Sequence, residues 1–533
     1  MIKLGITTLN PHPRRLVPPA SKYLSVTPAS GFSPGDPRLY YRRNRNRPAM
    51  LIALFLLCAV CASSGGAEDV TARPNILVVL CDDLGWGDLE DYGHPSIRTP
   101  RLVEMAKEGI RFTDFYSASP VCSPSRVGLL TGRMPNRAGV YNWIPEANPD
   151  RPPKGSRSLV QMKAEEFTIP EMLKEAGYAT CMSGKWHCNA MFNSPKQAQP
   201  GDHGFDHWFA TQNNAAPSHQ HPVNFVRNGT PVGKIEGYSC QIVVDEFVTW
   251  LRQHKQDNPG QPFFGYVAYH EPHEPVASPP DLVKKYEQGG ARNHNEAQYF
   301  ANVENLDAAT GKLIDAIDEL GYGENTLIIF TSDNGPETLN RYSKATRSYG
   351  TPGPLRGMKL HTHEAGYRVA GIMRWPARIA PGQVSAEPVC SLDFLPTFAK
   401  LAGASLPEDL LLDGAEFLPA LSGEQVVRQR PLMWVYYNAR QEDGRHHPSV
   451  SMRDGPYKVR ALLEGVKSTS NLDANNAEAI RSAKLGQFEL YDLSQDPSES
   501  NPLPATATNL PELLRQQYDD ALSTFRVWPA SKP

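Results

Sequence analysis

Asn75-Ile76-Leu77-Val78-Val79-Leu80-Cys81-Asp82-Asp83 is an almost unbroken apolar run that ends on two adjacent carboxylates. A run of that length, bounded by charge, reads as a strand buried on both faces, the kind found in parallel sheets. The same ending recurs along the chain. Tyr178 to Met182 reads as a strand entering Ser183-Gly184-Lys185-Trp186-His187, and Phe263 to Tyr269 as one entering His270-Glu271-Pro272-His273. Thr326 to Thr331 enters Ser332-Asp333-Asn334-Gly335. Helical segments lie between them. One starts at Thr99-Pro100 and stops at Gly109; another starts at the capping box Thr168-Ile169-Pro170-Glu171 and stops at Gly177. Ile242 to His254 and Ala297 to Leu320 complete the set. Strands alternating with helices imply an α/β domain on a mainly parallel sheet. Such sheets bind ligands outside the carboxyl ends of their strands. Four strands ending in charged or metal-competent groups point to a site and not to turn chemistry.

Asp82, Asp83, Asp333 and Asn334 are all oxygen donors. Hard oxygen ligands select Ca²⁺ or Mg²⁺ over zinc, and three carboxylates with one amide suit Ca²⁺ better than Mg²⁺. Taken singly, Asp333-Asn334-Gly335 is also a common turn after a strand.

A second cluster follows the first helix: Val121-Cys122-Ser123-Pro124-Ser125-Arg126, continuing to Arg133. Pro124 fits the first turn of a helix, which puts Cys122 near the free N–H groups and positive dipole end. Arg126, one turn on, adds a fixed positive charge. The plain alternative is a buried cysteine before a Pro-started helix. If it is a site, it is one for an oxyanion.

At 533 residues the chain has room for a large domain and a smaller one. A net charge of −3 without basic runs in the body argues against nucleic acid as a partner. Near the N-terminus, Arg42-Arg43-Asn44-Arg45-Asn46-Arg47 precedes the apolar run Leu51 to Cys61 and the small residues Ala62 to Ala67. That pattern reads as a signal peptide with a plausible cleavage site near Ala67, its apolar stretch too short for a stable membrane span. The expected location is exported, periplasmic or extracellular. Met1 and Met50 both remain open as the start. Export removes Cys58 and Cys61, leaving six of eight cysteines, which excludes a disulfide scaffold. Cys181 and Cys188 are either a disulfide or two thiols. The expected organisation is an extension and signal over 1–67, a catalytic domain over 68–429 and a small domain over 430–533. In the last, Leu432 to Tyr437 and Tyr457 to Leu462 read as antiparallel strands, and Pro511 to Thr524 as a helix.

These segments together resemble the sulfatase family: the formylglycine-dependent type I sulfatases of the alkaline-phosphatase-like superfamily, in particular arylsulfatase-like and N-acetylgalactosamine-6-sulfatase-like members. The matching motifs are Asp82-Asp83 after its strand, Cys122-x-Pro-x-Arg126, Gly184-Lys185-Trp186-His187, Pro272-His273-Glu274-Pro275, Ser332-Asp333-Asn334-Gly335 and Arg356-Gly357-Met358-Lys359. A looser match covers Gln487 to Leu493 and Asp496-Pro497. The resemblance implies a large mainly parallel sheet flanked by helices, with a smaller C-terminal α+β domain on an antiparallel sheet. It implies that a maturation enzyme oxidises Cys122 to formylglycine, whose hydrate attacks the sulfur of a sulfate ester. Asp82, Asp83, Asp333 and Asn334 would hold Ca²⁺, with residue 122 completing the shell. Arg126 would hold the hydrate, and Lys185 and Lys359 would bind sulfate oxygens. His187 would take a proton as sulfate is expelled, and His273 would protonate the leaving alcohol. His270, His361 and His363 also offer imidazoles, but His273 fits the family pattern best. The segment after Lys359, Leu360-His361-Thr362-His363-Glu364-Ala365-Gly366, departs from the family's usual Glu-Gly-Gly.

The rivals are a phosphonate or phosphodiester hydrolase of the same superfamily and a non-catalytic protein that binds sulfated glycans. The expected substrate is a sulfated carbohydrate, because the intervening segments are rich in groups suited to hydroxyls: Gln212, Asn213, Asn214, His219, His221, Arg440, Arg445, His446 and His447.

Overall fold

The structure, a computed structural model, describes residues 73–151, 156–337 and 348–530. The expected signal segment, its cleavage site and both candidate starts lie outside the described residues. Among those described, no helix is long and apolar enough to cross a membrane.

Eleven strands of the described residues form one sheet. They are β1 (Asn75–Asp82), β2 (Ile110–Tyr116), β3 (Ala179–Lys185), β4 (His207–Thr211), β5 (Val226–Arg227) and β6 (Thr230–Pro231). The remainder are β7 (Phe263–Pro272), β8 (Thr326–Ser332), β9 (Arg368–Arg374), β10 (Gln383–Ser385) and β11 (Val389–Cys390). The order is β10-β2-β9-β8-β1-β7-β3-β4-β5-β6, with β11 beside β2. β1 lies parallel to both its neighbours, Val78 facing Tyr266 of β7 and Ile329 of β8. β3 and β4 extend the parallel block, whereas β9 runs antiparallel to β8 and β2.

Two strands run further than their apolar residues suggest. β3 continues past Met182 to Lys185, and β7 past Tyr269 to Pro272. Neighbours on each side supply the ladder: Gly184 pairs with Ala268, and Lys185 with Thr211. The polar residues are therefore held inside the sheet and not in loops after it. β9, like β5 and β6, pairs antiparallel, which makes the sheet mixed.

β1 feeds two cores. Ile76, Val78 and Leu80 pack on one face with Val127, Leu130, Phe394 and Phe398. Leu77, Val79 and Cys81 pack on the other with Val243, Phe247, Leu306 and Leu313. A strand buried on both faces needs apolar side chains at every position, which is why the run has no alternation. The Ile242 to His254 helix extends to Ser239–Asp257, and that from Ala297 to His294–Glu319. All six cysteines in the described residues are free and buried, so Cys181 and Cys188 are thiols.

Near the C-terminus, β12 (Leu432–Tyr436), β13 (Ser449–Asp454), β14 (Tyr457–Leu463) and β15 (Leu485–Asp492) form an antiparallel sheet packed by the Leu510–Ser523 helix. Trp434 of β12 stacks on Tyr367, with centroids 4.0 Å apart and planes 2° from parallel. Below them, Lys458 Nζ lies 3.0 Å from Glu364 and 2.8 Å from Glu499, and all three are buried. The Glu499 carboxylate also accepts the Glu364 backbone N–H at 2.7 Å. Removing the ammonium would leave buried Glu499 without a cation and Glu364 with Arg368 alone, a loss of about 3–5 kcal/mol. Lys458→Met should therefore lower the melting temperature by several degrees. Adding Glu499→Gln to that variant should recover part of the loss, which differential scanning calorimetry would measure.

Candidate active site

Because β1, β3, β7 and β8 are parallel, their carboxyl ends emerge on one edge, and each delivers polar residues there. The backbone at these ends is unusual. Asp83 (φ 65°) and His187 (φ 54°) occupy the left-handed region, rare for residues with a Cβ and frequent at functional sites. Two motif glycines are close-approach positions. A Cβ on Gly184 would fall 1.8 Å from the Ala268 carbonyl oxygen, and one on Gly335 would fall 1.6 Å from that of Ala365. The Gly-Lys-Trp-His and Ser-Asp-Asn-Gly segments therefore seat directly on neighbouring backbone.

Three carboxylates and three cations interlock at this edge, all of them buried. Lys185 Nζ is 2.5 Å from Asp82 Oδ2, and Lys359 Nζ is 2.7 Å from Asp83 Oδ2. Arg126 donates from Nε to Asp333 Oδ2 at 2.9 Å, with Nη2 at 2.7 Å, and from Nη1 to the Lys185 carbonyl. Asn334 donates its amide to Asp83 Oδ1 at 2.7 Å and to the Gly335 carbonyl. Burial works to raise each carboxyl, and the partners decide the outcome. At Asp82 the charge of Lys185, supported by His273 and Arg126, outweighs burial and holds the group well below the usual carboxylate range. Asp83 is lowered too, with Lys359 outweighing burial. At Asp333, burial and the neighbouring Asp82 charge prevail over Arg126 and push the carboxyl up to about 7.

Donor atoms of Asp82, Cys122 and Asp333 lie within 4.8 Å of one another, as do those of Asp82, Asp83 and His273. Asp82 Oδ1 and Asn334 Oδ1 are buried without a hydrogen-bond partner among the described residues. Bare buried oxygens beside converging carboxylates fit a hard cation.

Cys122 is the first residue of the Cys122–Thr131 helix and is buried. Burial raises its thiol, against the pull of Lys185 and Lys359. It lines a cavity of about 320 Å³ with Trp143, His187, Asn213, Asn214, His273, Glu274 and Lys359. His187 Nε2 sits 3.0 Å from the Ile144 carbonyl, which fixes the N–H there and leaves buried Nδ1 without a partner. Burial, then Lys185 and Arg126, hold its pKa well below the usual histidine value, so it is neutral. His273 Nδ1 sits 2.6 Å from the Glu274 carbonyl, leaving Nε2 3.5 Å from Asp83. Burial lowers its pKa, opposed by Asp83 and Asp82.

The other imidazoles do not line the Cys122 cavity. His270 is fully buried, its Nε2 2.8 Å from Thr211 Oγ1, and His219 is buried between Asn302 and Glu271. His363 shares a separate cavity of about 490 Å³ with Arg445, His446 and His447. Of the hydroxyl-binding candidates, only Asn213 and Asn214 line the Cys122 cavity; Gln212 is buried against the Ile144 and Asn189 carbonyls. Sequence reasoning missed Trp143 and Glu337, whose carboxylate lies 3.4 Å from Lys359 Nζ. Glu337 stands two residues past the matched Ser332-Asp333-Asn334-Gly335 motif, whereas nothing in its local sequence marks Trp143.

The chain matches the Sulfatase family profile over residues 74–404. It also matches the profile described as N-sulphoglucosamine sulphohydrolase, C-terminal, over residues 358–479. The chain belongs to the sulfatase family, and it is accordingly a sulfuric ester hydrolase. N-acetylgalactosamine-6-sulfatase of Canis lupus familiaris is 32% identical over 494 residues, spanning 86% of this chain and 87% of the relative. Arylsulfatase A of Homo sapiens is 36% identical over 478 residues, spanning 84% and 86%. Among solved structures, Ps i-CgsB in complex with k-i-k-neocarrahexaose superposes with a TM-score of 0.70 at 26% identity, covering 86% of this chain and 95% of that one.

The raised Asp333 carboxyl gives a direct test of cation binding. A carboxylate ligand must shed its proton, so at pH 6 uptake of a divalent cation by the metal-free protein should release about one proton, and at pH 8 far less. Apparent affinity should climb as pH rises to about 7 and then level off. Calorimetry in buffers of different ionisation enthalpy measures the release, and Asp333→Asn should abolish it.

Proposed function

We propose that this protein hydrolyses sulfate esters of carbohydrates, using a formylglycine made from Cys122 and a bound Ca²⁺. The observation that carries the reading is the position of Cys122. It stands at a helix N-terminus, in ligand range of Asp82 and Asp333, and opens into the cavity that Lys359, His187 and His273 also line. Asp82, Asp83, Asp333 and Asn334 would hold the cation, with residue 122 beside them. Ca²⁺ would carry the charge of carboxylates that Lys185 and Lys359 neutralise here, and formylglycine would supply a hydrated aldehyde as nucleophile.

The remaining work falls to the side chains. Lys185, Lys359 and Arg126 offset negative charge on the sulfuryl group and on the attacking oxygen. His273, its Nδ1–H held by the Glu274 carbonyl, donates from Nε2 to the departing alcohol oxygen when the ring is protonated, a form that the nearby Asp83 and Asp82 carboxylates favour against burial. His187, neutral and with Nδ1 free, accepts the proton released as sulfate departs. Carbohydrate is favoured because relatives bear the name N-acetylgalactosamine-6-sulfatase, and because a structure 26% identical was solved with a neocarrahexaose. Export and a maturation enzyme acting on Cys122 belong to the same reading.

Mass spectrometry of the active protein should find the Cys122 peptide lighter than its encoded mass by about one water, and Cys122→Ala should abolish turnover while the fold persists. An active preparation bearing only unmodified cysteine would refute the mechanism. Chelation should lower activity and melting temperature together, with Ca²⁺ restoring both.

A sugar alkoxide leaves far less readily than a nitrophenolate. His273→Ala should therefore cut kcat/KM on sugar sulfates by about 10²–10⁴, and on nitrophenyl sulfate much less. Equal losses would remove the acid role. Faster cleavage of a phosphate ester than of the sulfate ester of the same alcohol would favour the phosphoryl-hydrolase reading.

A further inference from the structure

Large exposed apolar side chains are few among the described residues: Trp143, Val223, Val384 and Val427. Only Trp143, 36% exposed, is aromatic, and of the four it alone lines the Cys122 cavity. Its place is fixed on several sides. The Arg157 guanidinium lies 4.4 Å from the indole centroid, and Arg157 also donates to the Trp143 carbonyl. The Trp143 backbone N–H donates to Asn142 Oδ1 at 2.9 Å. Asn142 is itself buried, accepts the Tyr436 hydroxyl at 2.9 Å and donates to Ser470 Oγ at 3.0 Å. The ring itself is touched by Arg157, and the remaining contacts brace the backbone that carries it, so a partly exposed indole sits on a fixed base.

A second, independent observation comes from elsewhere on the cavity wall. Asn213 Oδ1 and Asn214 Oδ1 are buried acceptors without a hydrogen-bond partner among the described residues. The loop backbone is tied at Asn213 and the Asn214 side chain is tied through its amide. Thr211 Oγ1 donates to the Asn213 carbonyl while also bonding His270, and the Asn214 amide donates to the Glu274 carbonyl at 3.0 Å. Buried acceptors held without donors are costly unless a ligand brings the donors. A flat aryl group would use the indole and leave both oxygens bare. A pyranose brings an apolar C–H face and several O–H donors.

We propose that Trp143, Asn213 and Asn214 form the subsite for the sugar ring that carries the cleaved sulfate. The indole stacks on the C–H face of the pyranose, and the two amide oxygens accept from its hydroxyl or acetamido N–H groups. This rests on the sulfatase reading above and adds the residues that select carbohydrate over aryl sulfates.

The test uses the matured, Ca²⁺-loaded enzyme with an N-acetylhexosamine 6-sulfate and nitrophenyl sulfate as substrates, and inorganic sulfate as inhibitor. Trp143→Ala should raise KM for the sugar sulfate about tenfold or more, with kcat changing less and the sulfate inhibition constant staying within about twofold. Trp143→Phe should recover most of the affinity. Asn213→Ala should raise KM for the sugar sulfate and spare nitrophenyl sulfate, which has no hydroxyl donor. An unchanged KM in Trp143→Ala, or a sulfate inhibition constant rising in parallel with it, overturns the proposal while the sulfatase reading stands. So does equal damage to both substrates in Asn213→Ala. A wild-type enzyme that cleaves nitrophenyl sulfate and no sugar sulfate overturns the proposal together with the carbohydrate assignment. One that cleaves no sulfate ester removes the reading on which both rest.

Discussion

A cluster of buried carboxyls and cations lies where four parallel strands end, and the site depends on their mutual neutralisation. Asp82, Asp83 and Asp333 face Arg126, Lys185 and Lys359, with the buried carboxylate of Glu337 also beside Lys359. An isolated charge at such depth is costly, so no member of the set is independent of the rest. The outcome differs from group to group because the partners differ. Asp82, paired with Lys185 and near Arg126, stays ionised, whereas Asp333, facing Asp82, binds its proton more tightly. Such disparity among neighbouring carboxyls is a mark of functional sites.

The scaffold meets this electrostatic demand with geometry. β1 is held between parallel β7 and β8 and sends alternate side chains into separate cores, so its last residue has little freedom. Asp83 and His187, in left-handed conformations just past β1 and β3, turn the chain where the ladder stops. Lys185 remains inside its ladder because Thr211 pairs with it.

The sequence was most readable where one strong signal suffices. The apolar run from Asn75 and the polar ends of four strands gave the parallel block, and the Gly-Lys-Trp-His and Ser-Asp-Asn-Gly segments marked residues that lie together. Other features were hidden for physical reasons. The extra residues of β3 and β7 belong to the sheet only because neighbours supply partners, which is a tertiary fact. The Gly335 reading as a turn residue was incomplete: its lack of a Cβ lets the segment lie on Ala365, some thirty residues away along the chain. Trp143 belongs to an irregular loop with no periodicity, and its meaning comes from what surrounds it. Conversely, His221, Arg445, His446 and His447 look chemically apt but lie away from the Cys122 cavity, since composition says nothing of direction.

The ion cluster of Glu364, Lys458 and Glu499 has a consequence for the order in which the molecule is completed. Every charged group at the sheet edge is encoded before residue 360, yet the walls of the cavity lean on later residues. Lys359 enters a segment anchored through Glu364 to Lys458 and Glu499, and Trp143 is braced through Asn142 by Tyr436 and Ser470. Without its last hundred residues the chain would lack the side chains that brace Lys359 and Trp143, so the walls that give the cavity its shape wait on the C-terminal sheet.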